Sequence, residues 1–372
     1  MAGSITKGRP ALLPGSPPPL SNDAAFRGGR VAVCGSLAHL DPLLDGLCEA
    51  LRDAGHAFDR LPSHHELLAQ PALLAACDVI AGFGNMPISA QVMDRAPRLR
   101  GVVSCVSGTD GFDLDAASAR AIIVAHAPTE ENARSMAEAA TLLLLQLLYD
   151  LDGTRDNLRH DRPRPNPVRA RMLNGKTVGL VGWGRIAQIV ASLLQPWGVE
   201  LLVSSRRGTG VDVPAHARAV ELDTLLERSD AVCVLAGAEA NAPPLVDRAG
   251  LARMKSDAFL INLSRGSNVD EPALVEALRE RRIAGAALDV FATEPLPLDS
   301  PLRQLPHVIL TPHHVGHTRE GDASLLPALV ENVLALLRGQ VPPMVRNRAA
   351  VDAWQARWGR QALVPATTGA SR

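Results

Sequence analysis

The chain has 372 residues, of which 47% are hydrophobic, enough to fill the cores of about two domains. This composition excludes a disordered or fibrous protein. The 38 basic and 39 acidic side chains give a net charge of −1, so no overall field attracts nucleic acid or anionic lipid. Aromatic residues make up only 3% of the chain, which argues against a stacking platform for single-stranded nucleic acid. We therefore expect neither nucleic acid nor membrane as a partner.

The cysteines and the N-terminal sequence indicate the cellular compartment of the protein. The 5 cysteines are scattered singly, without a C-x-x-C pair or a histidine at ligand spacing, which predicts buried thiols, no metal site and a reducing compartment. The Pro- and Ser-rich stretch 1–24 lacks the apolar segment of a signal peptide and is predicted to be a disordered leader. The longest apolar run, 139–149, is too short to span a bilayer. We expect a cytoplasmic protein.

Strand-like apolar runs alternate with helical patterns from residue 25 onwards, which predicts βα units around parallel sheets. In the first half, strands are predicted over residues 31–34, 79–83, 101–106 and 121–125. A long amphipathic helix is predicted over 135–151, and a charged, Pro-rich exposed arm over 152–167.

A second βα series follows the arm. Its predicted strands cover residues 177–181, 200–204, 231–235, 258–263, 284–290 and 308–310. Six strands suit a doubly wound sheet, so the fold class is α/β with two Rossmann-like or flavodoxin-like parallel-sheet domains. A helical pattern over 322–338 leads to a weakly patterned tail.

A glycine-rich turn lies between the first strand and the first helix of this second series. Gly182 and Gly184 follow a buried-strand run, and a helical run starts near Ile186. In a strand–turn–helix unit, such glycines let the backbone approach a pyrophosphate at the helix N-terminus. We therefore take Gly182, Gly184, Arg185 and Ile186 as candidate cofactor-binding residues. The other G-x-G triplets, at Gly82 and Gly208, are interpreted as a plain βα turn and a loop.

The end of the next predicted strand bears on which nicotinamide cofactor is used. About 20 residues after the turn, where an NAD-preferring enzyme offers an acid to the ribose, this chain has Ser205, Arg206 and Arg207. A serine and arginines can hydrogen-bond and pair with a 2′-phosphate that a carboxylate would repel. The sequence favours NADP(H), with NAD(H) as the alternative if the two arginines are only a solvated strand end.

Four charged residues follow predicted strands of the second series, namely Arg265, Asp289, Glu294 and His313. Because the carboxyl ends of strands border the ligand crevice in open α/β sheets, we expect these side chains to converge.

The segments around these residues carry a family resemblance. L-N-G-K at 173–176, S-R-G…V-D-E at 264–271, the segment 288–295 and T-P-H at 311–313 stand in the order and at the spacings typical of the D-2-hydroxyacid dehydrogenases. The sequence resembles this family, which includes glycerate, lactate and phosphoglycerate dehydrogenases, over roughly residues 95 to 340.

The resemblance implies a function and a role for each site residue. The function is interconversion of a 2-keto acid and a D-2-hydroxy acid by hydride transfer with a nicotinamide cofactor. Arg265 would bind the substrate carboxylate and carbonyl, His313 would be the acid/base and Glu294 would support it. Asp289 would hold the nicotinamide carboxamide. The backbone amides of Ser107 and Gly108 would bind the substrate carboxylate.

The resemblance also implies how the chain is divided. A substrate domain would comprise residues 25–127 and 316–346, and a dinucleotide-binding domain residues 128–315, with the ligand cleft between them. Residues 347–372 would form a C-terminal tail. Family members are usually dimers, so we expect a homodimer with the 152–167 arm as its interface.

Some positions depart from the family pattern and leave alternatives open. His126 stands where Asn is common and is interpreted as a hinge residue. His314 replaces an aliphatic residue and is expected to pack behind the site, with a reshaped substrate pocket as the alternative, while the role of His317 is open. The segment 235–239 lacks the family's His-x-Pro-x-Thr, and Glu239 would oppose a phosphate there. A cofactor-sensing corepressor-like protein and a phosphite or formate dehydrogenase are the alternative functions on the same scaffold.

Overall fold

The computed structural model describes residues 28–37, 39–165, 167–238, 242–359 and 361–363, so the leader 1–24 and Glu239 lie outside the described residues. The described chain forms two compact α/β units, which confirms the predicted fold class. The first unit contains the chain up to Ala127 and again from Leu325, and the second is Pro128–Ser324. The return to the first unit thus comes at Leu325, within a helix, rather than at Gly316.

The first unit is built on a five-stranded parallel sheet in the order β2-β1-β3-β4-β5. The strands are β1 Arg30–Cys34, β2 Ala57–Leu61, β3 Val79–Gly82, β4 Gly101–Ser104 and β5 Ile123–Ala125. The helices between them are α1 Asp41–Asp53, α2 His64–Leu68, α3 Pro71–Ala76, α4 Ala90–Asp94 and α5 Leu114–Ala119. Sequence reasoning missed β2 because this edge strand is mostly half-buried and carries Asp59 and Arg60, which hide the apolar pattern.

The second unit is built on a seven-stranded parallel sheet in the order β12-β11-β10-β9-β6-β7-β8. Its strands are β6 Thr177–Val181, β7 Glu200–Ser204, β8 Ala217–Ala219, β9 Ala231–Val234, β10 Phe259–Asn262, β11 Gly285–Leu288 and β12 Val308–Leu310. All six predicted strands are present, and β8 is an additional short edge strand. The chain winds in opposite directions on the two sides of β6, so the topological switch point lies where β6 ends.

The helices of the second unit differ from prediction around the expected arm. They are α6 Glu130–Leu148, α7 Leu151–Arg159, α8 Arg185–Leu194, α9 Leu222–Arg228, α10 Arg248–Arg253 and α11 Glu271–Arg279. The long helix α6 begins at Glu130, before the predicted 135, because the Thr129 hydroxyl caps it by accepting the Asn132 N–H at 3.3 Å. The 152–167 arm contains most of α7, which has no buried residue.

The segment 347–372 is not merely a tail. After α12 Arg319–Leu337, the chain forms α13 Val351–Trp358 in the first unit. Trp354 is fully buried in the core of that unit, and its indole N–H donates to the Arg100 carbonyl oxygen at 2.7 Å. Trp358, four residues later, lies on the same helix face and is also buried. This spacing of two tryptophans is the signal that sequence reasoning overlooked.

Two further predictions concern burial. The five cysteines are buried and free of disulfides, and burial raises the pKa of Cys34, Cys77, Cys105 and Cys233 to about 12. In the described part of the chain, no helix has both the length and the apolar character that a membrane span requires.

Candidate active site

The four charged residues singled out in the second half lie in one unit, after three neighbouring strands. Arg265 follows β10, Asp289 and Glu294 follow β11, and His313 follows β12. Strands β10, β11 and β12 are parallel and adjacent, so these segments leave the sheet at the same edge. The predicted convergence therefore has its origin in the sheet order.

His313 and Glu294 form a hydrogen-bonded pair. The imidazole Nδ1 is 2.7 Å from Glu294 Oε2, and Glu294 Oε1 accepts the Phe291 N–H at 3.0 Å. Because the carboxylate is an acceptor, it favours a proton on Nδ1 and leaves Nε2 for other partners. The backbone of His313 is left-handed, with φ at 53°, and its N–H donates to the Thr311 carbonyl oxygen.

The surrounding charges set the proton affinity of this pair. The hydrogen bond that His313 donates to Glu294 raises the pKa of His313 above its usual value, while partial burial and the Arg265 cation act against it and Asp289 adds to it. For Glu294, burial acts to raise the pKa, but the hydrogen bonds from His313 and Phe291 outweigh it and the pKa is lowered. The arrangement therefore favours an imidazolium beside a carboxylate. The influence of Arg265 on both groups is consistent with its lying close to them.

The loop that carries Arg265 is held by a buried amide that sequence reasoning did not select. Asn262, at the end of β10, accepts from both the N–H and the hydroxyl of Ser264, at 3.1 and 2.8 Å. Its side-chain amide donates to the Arg265 carbonyl oxygen at 3.0 Å. Asn268 completes the network by donating to the Ser264 hydroxyl and to the Ala236 carbonyl oxygen. A polar residue at the end of an otherwise apolar strand was the available signal for Asn262.

Gly266 allows this loop to touch the segment that carries Glu294. A methyl group at Gly266 would overlap the carbonyl oxygen of Phe291, so a larger residue would separate the two segments. The close approach ties the position of Arg265 to that of Glu294.

Asp289 is almost completely buried, with 2% of its surface exposed. One of its carboxylate oxygens accepts the backbone N–H groups of His314 and Val315, at 2.9 and 3.1 Å. Through these two hydrogen bonds, Asp289 holds the backbone that follows His313.

The glycine turn has the geometry expected of a phosphate cradle. Gly182 has a left-handed φ of 105°, and a side chain there would collide with the backbone of Ala236. Gly184 precedes α8, and the space around its Cα is open. The free N–H groups at the start of α8 thus lie at the switch point of the sheet, where an anion is favoured. The Arg185 side chain donates to the Pro128 carbonyl oxygen at 2.9 Å, and Ile186 is half-buried.

The residues that bear on cofactor choice lie in the turn after β7. The Arg207 N–H donates to the Ser205 hydroxyl at 3.3 Å. Arg206 lines a shallow cavity together with Gly237 and Asn268. The side chains of Arg206 and Arg207 are both exposed.

The predicted substrate loop lies in the first unit, after β4. The Ser107 hydroxyl donates to the Ala127 carbonyl oxygen at 3.3 Å, and a side chain at Gly84 would overlap the Gly108 carbonyl. His126 has its Nδ1 2.9 Å from the Ser107 carbonyl oxygen, and its own carbonyl accepts from Asn332. His126 thus braces the loop that carries Ser107.

His314 does not pack behind the site as expected, because its side chain is exposed. Its ring stacks on that of His317, with centroids 4.5 Å apart and planes inclined by 12°. His317 in turn has its Nδ1 2.9 Å from Asp322.

Known proteins resemble this chain in sequence and in fold. A sequence profile of the D-isomer specific 2-hydroxyacid dehydrogenase NAD-binding domain matches residues 141–315. The chain is 35% identical over 292 residues to a glyoxylate reductase of Thermofilum pendens, covering 77% of this chain and 85% of the relative. It is 36% identical over 294 residues to glyoxylate/hydroxypyruvate reductase B of Pectobacterium atrosepticum, covering 76% and 91%. The crystal structure of an NADPH-dependent glyoxylate/hydroxypyruvate reductase from Sinorhizobium meliloti matches with a TM-score of 0.72 and 29% identity, covering 85% of this chain and 97% of that one.

Proposed function

This chain belongs to the D-isomer-specific 2-hydroxyacid dehydrogenase family, and we propose that it reduces a small 2-keto acid to the D-2-hydroxy acid with NADP(H) as the preferred cofactor. The observation that carries the proposal is the His313–Glu294 pair, at the same sheet edge as Arg265 and in the same unit as the Gly182 turn. The similarity to glyoxylate and hydroxypyruvate reductases supports a substrate of this size.

The reduction needs a hydride at C2 of the keto acid and a proton on the oxygen that becomes the hydroxyl. When bound, the reduced nicotinamide supplies the hydride. His313 supplies the proton from Nε2, because its Nδ1 is engaged by Glu294. The products are the D-2-hydroxy acid and the oxidised cofactor, and His313 takes up a proton from water to restore the imidazolium.

The raised pKa of His313 is what suits it to this task. An imidazole of ordinary pKa, about 6.5, is only about a tenth protonated at pH ~7.5. Glu294 increases the protonated fraction, so the acid is present at neutral pH. The rate of keto acid reduction is therefore expected to fall as the pH rises through the pKa of His313.

Arg265 fits the recognition of the substrate carboxylate. Its planar guanidinium offers two parallel N–H groups that match a carboxylate, which a lysine does not reproduce. The Ser107 and Gly108 amides are proposed as the second carboxylate contact, on the loop braced by His126.

Replacing His313 tests the assigned acid. We predict that His313→Asn lowers kcat for 2-keto acid reduction about 10²- to 10⁴-fold with little change in the Kd of NADPH, because the proton donor alone is removed. His307→Asn is the matched control, since His307 has a similar left-handed backbone, φ 59°, that Asn tolerates. Steady-state kinetics gives kcat, and a fluorescence titration gives the Kd of NADPH.

A panel of substrates separates the competing functions. Glyoxylate, hydroxypyruvate, branched and aromatic 2-keto acids are offered to the wild-type protein with NADPH, and phosphite and formate with NADP⁺ and NAD⁺. Turnover of a keto acid supports the proposal, while oxidation of phosphite or formate alone contradicts it. Cofactor binding without any turnover favours the corepressor-like alternative.

The preference for NADP(H) rests on Ser205, Arg206 and Arg207 after β7. We predict that Arg206→Ala lowers kcat/KM with NADPH about 10- to 100-fold and leaves NADH nearly unaffected, because only NADPH carries the 2′-phosphate that a charge-assisted hydrogen bond would recognise. Arg218→Ala, an exposed arginine on the neighbouring strand β8, is the control. A wild-type preference for NADH would contradict the assignment.

We also propose a homodimer, formed through an apolar surface between residues 142 and 172. Six large apolar side chains are exposed there, namely Leu142, Tyr149, Leu151, Leu158, Val168 and Met172. The surface lies on and beside the arm predicted as an interface, and a second copy of the chain would cover it. The 5 buried thiols fit the proposed cytoplasmic location.

Sedimentation tests the dimer. We predict about twice the chain mass of 39.4 kDa for the wild type and a shift to monomer for Leu158→Asp, which places a charge on a side chain that is 85% exposed. Leu298→Asp is the control, because Leu298 is 90% exposed but lies away from this stretch of sequence. A wild-type monomer would refute the proposal.

A further inference from the structure

The chain after β11 is buried as far as Phe291, but the residues around Glu294 have little burial to fix their position. Residues 292–295 are all exposed, although Glu294 must keep its carboxylate within hydrogen-bonding distance of His313. The core packing of Phe291 anchors one end of this stretch, and beyond it the polar contacts of the exposed residues contribute to where Glu294 lies.

One of these contacts comes from a residue outside the acid/base pair. Glu271 is the first residue of α11, immediately after Asp270, whose carboxylate caps the helix by accepting the Ala273 N–H. The Glu271 side chain reaches away from the helix, and its Oε2 accepts the Ala292 N–H at 2.9 Å. A hydrogen bond from a backbone amide to a carboxylate is charge-assisted and about twice as strong as a neutral one.

This contact complements the one that Glu294 makes itself. Glu294 accepts the N–H of Phe291 and Glu271 accepts the next N–H along the chain, that of Ala292. On the other side, Gly266 packs directly against the Phe291 carbonyl. The segment is therefore held between the Arg265–Gly266 loop and the first turn of α11.

We propose that Glu271 is a positioning residue, which holds the 291–294 segment in the register that brings Glu294 against His313. Glu271 is assigned no contact with substrate or cofactor. By holding the Ala292 backbone, Glu271 fixes the position of the Glu294 carboxylate, and that carboxylate sets the pKa of His313. The inference deepens the proposed reductase function and rests on it for its kinetic consequence alone.

A positioning role for Glu271 differs from a merely structural one in its effect on the pKa of His313. The charged groups that act on this imidazole are Glu294, Arg265 and Asp289, and His314 follows it in the chain. If the segment loses its tether, the Glu294 hydrogen bond weakens while burial and Arg265 continue to lower the pKa. The pKa of His313 then falls, and the reduction rate declines at a lower pH than in the wild type.

Three variants isolate the contact. Glu271→Asp keeps the negative charge favoured in the first turn of a helix but is one methylene too short to reach Ala292. Glu271→Gln keeps the length and an acceptor oxygen. Glu276→Ala is the control. It removes another carboxylate of α11, one whose partners are Arg248 and Arg282.

The pKa of His313 is measured by NMR titration of the intact protein with ¹³C-labelled histidine, its resonance being identified by its absence in His313→Asn. We predict a lowered pKa of His313 and a kcat about 10- to 100-fold lower for Glu271→Asp. Glu271→Gln, which keeps only a weaker, neutral acceptor, is expected to lie between Glu271→Asp and the wild type, and Glu276→Ala to show no change. An unchanged His313 pKa in Glu271→Asp overturns the proposal. Should the wild type turn over no keto acid, the reductase function fails, while the titration still decides the role of Glu271.

Discussion

The proposed acid/base chemistry depends on one hydrogen bond, between the Nδ1 of His313 and the carboxylate of Glu294. An isolated histidine is mostly neutral at pH ~7.5, and a neutral imidazole is a poor donor of the proton that a developing alkoxide requires. The carboxylate fixes the tautomer, leaves Nε2 available and raises the pKa. The hydrogen bond is lost if the two side chains move apart by about an ångström, and only the weaker charge–charge attraction then remains.

Much of the surrounding structure serves to maintain that distance. The order β12-β11-β10 places the ends of three strands side by side, which brings His313, Glu294 and Arg265 to one edge of the sheet. Backbone contacts then refine the placement: Asp289 holds the residues after His313, and Gly266 lets the arginine loop touch Phe291. Proteins commonly place catalytic groups on loops supported by a rigid sheet, and here part of the support comes from the buried polar side chains of Asn262 and Asp289.

The sequence predicted the larger features because they leave periodic or spaced signals. The buried central strands of both sheets are continuous apolar runs, and the turn at Gly182 follows one of them in the expected strand–turn–helix context. The charged residues after β10, β11 and β12 were recognisable by type and order. The edge strands β2 and β8 escaped notice because partly exposed strands carry polar residues and lose the apolar run.

The supporting contacts could not be read from the sequence, for a physical reason. Asn262, Gly266 and Glu271 act through backbone groups that are distant in the chain or hidden by an unremarkable local pattern. A carboxylate at the start of a helix is common for its interaction with the helix dipole, so nothing in the sequence distinguishes Glu271 from such a residue. The Trp354 and Trp358 pair in α13 did have a helical spacing, but their short segment lay beyond the family resemblance.

The most direct test of the central claim is the pKa of the His313 imidazole in Glu294→Gln, measured by NMR titration beside the wild type. Glutamine keeps the size of the side chain and an acceptor oxygen but removes the charge that favours the imidazolium. We expect the pKa of His313 to be lower in the variant than in the wild type. An equal or higher pKa in the variant would contradict it, because Glu294 would then not be the group that keeps His313 protonated.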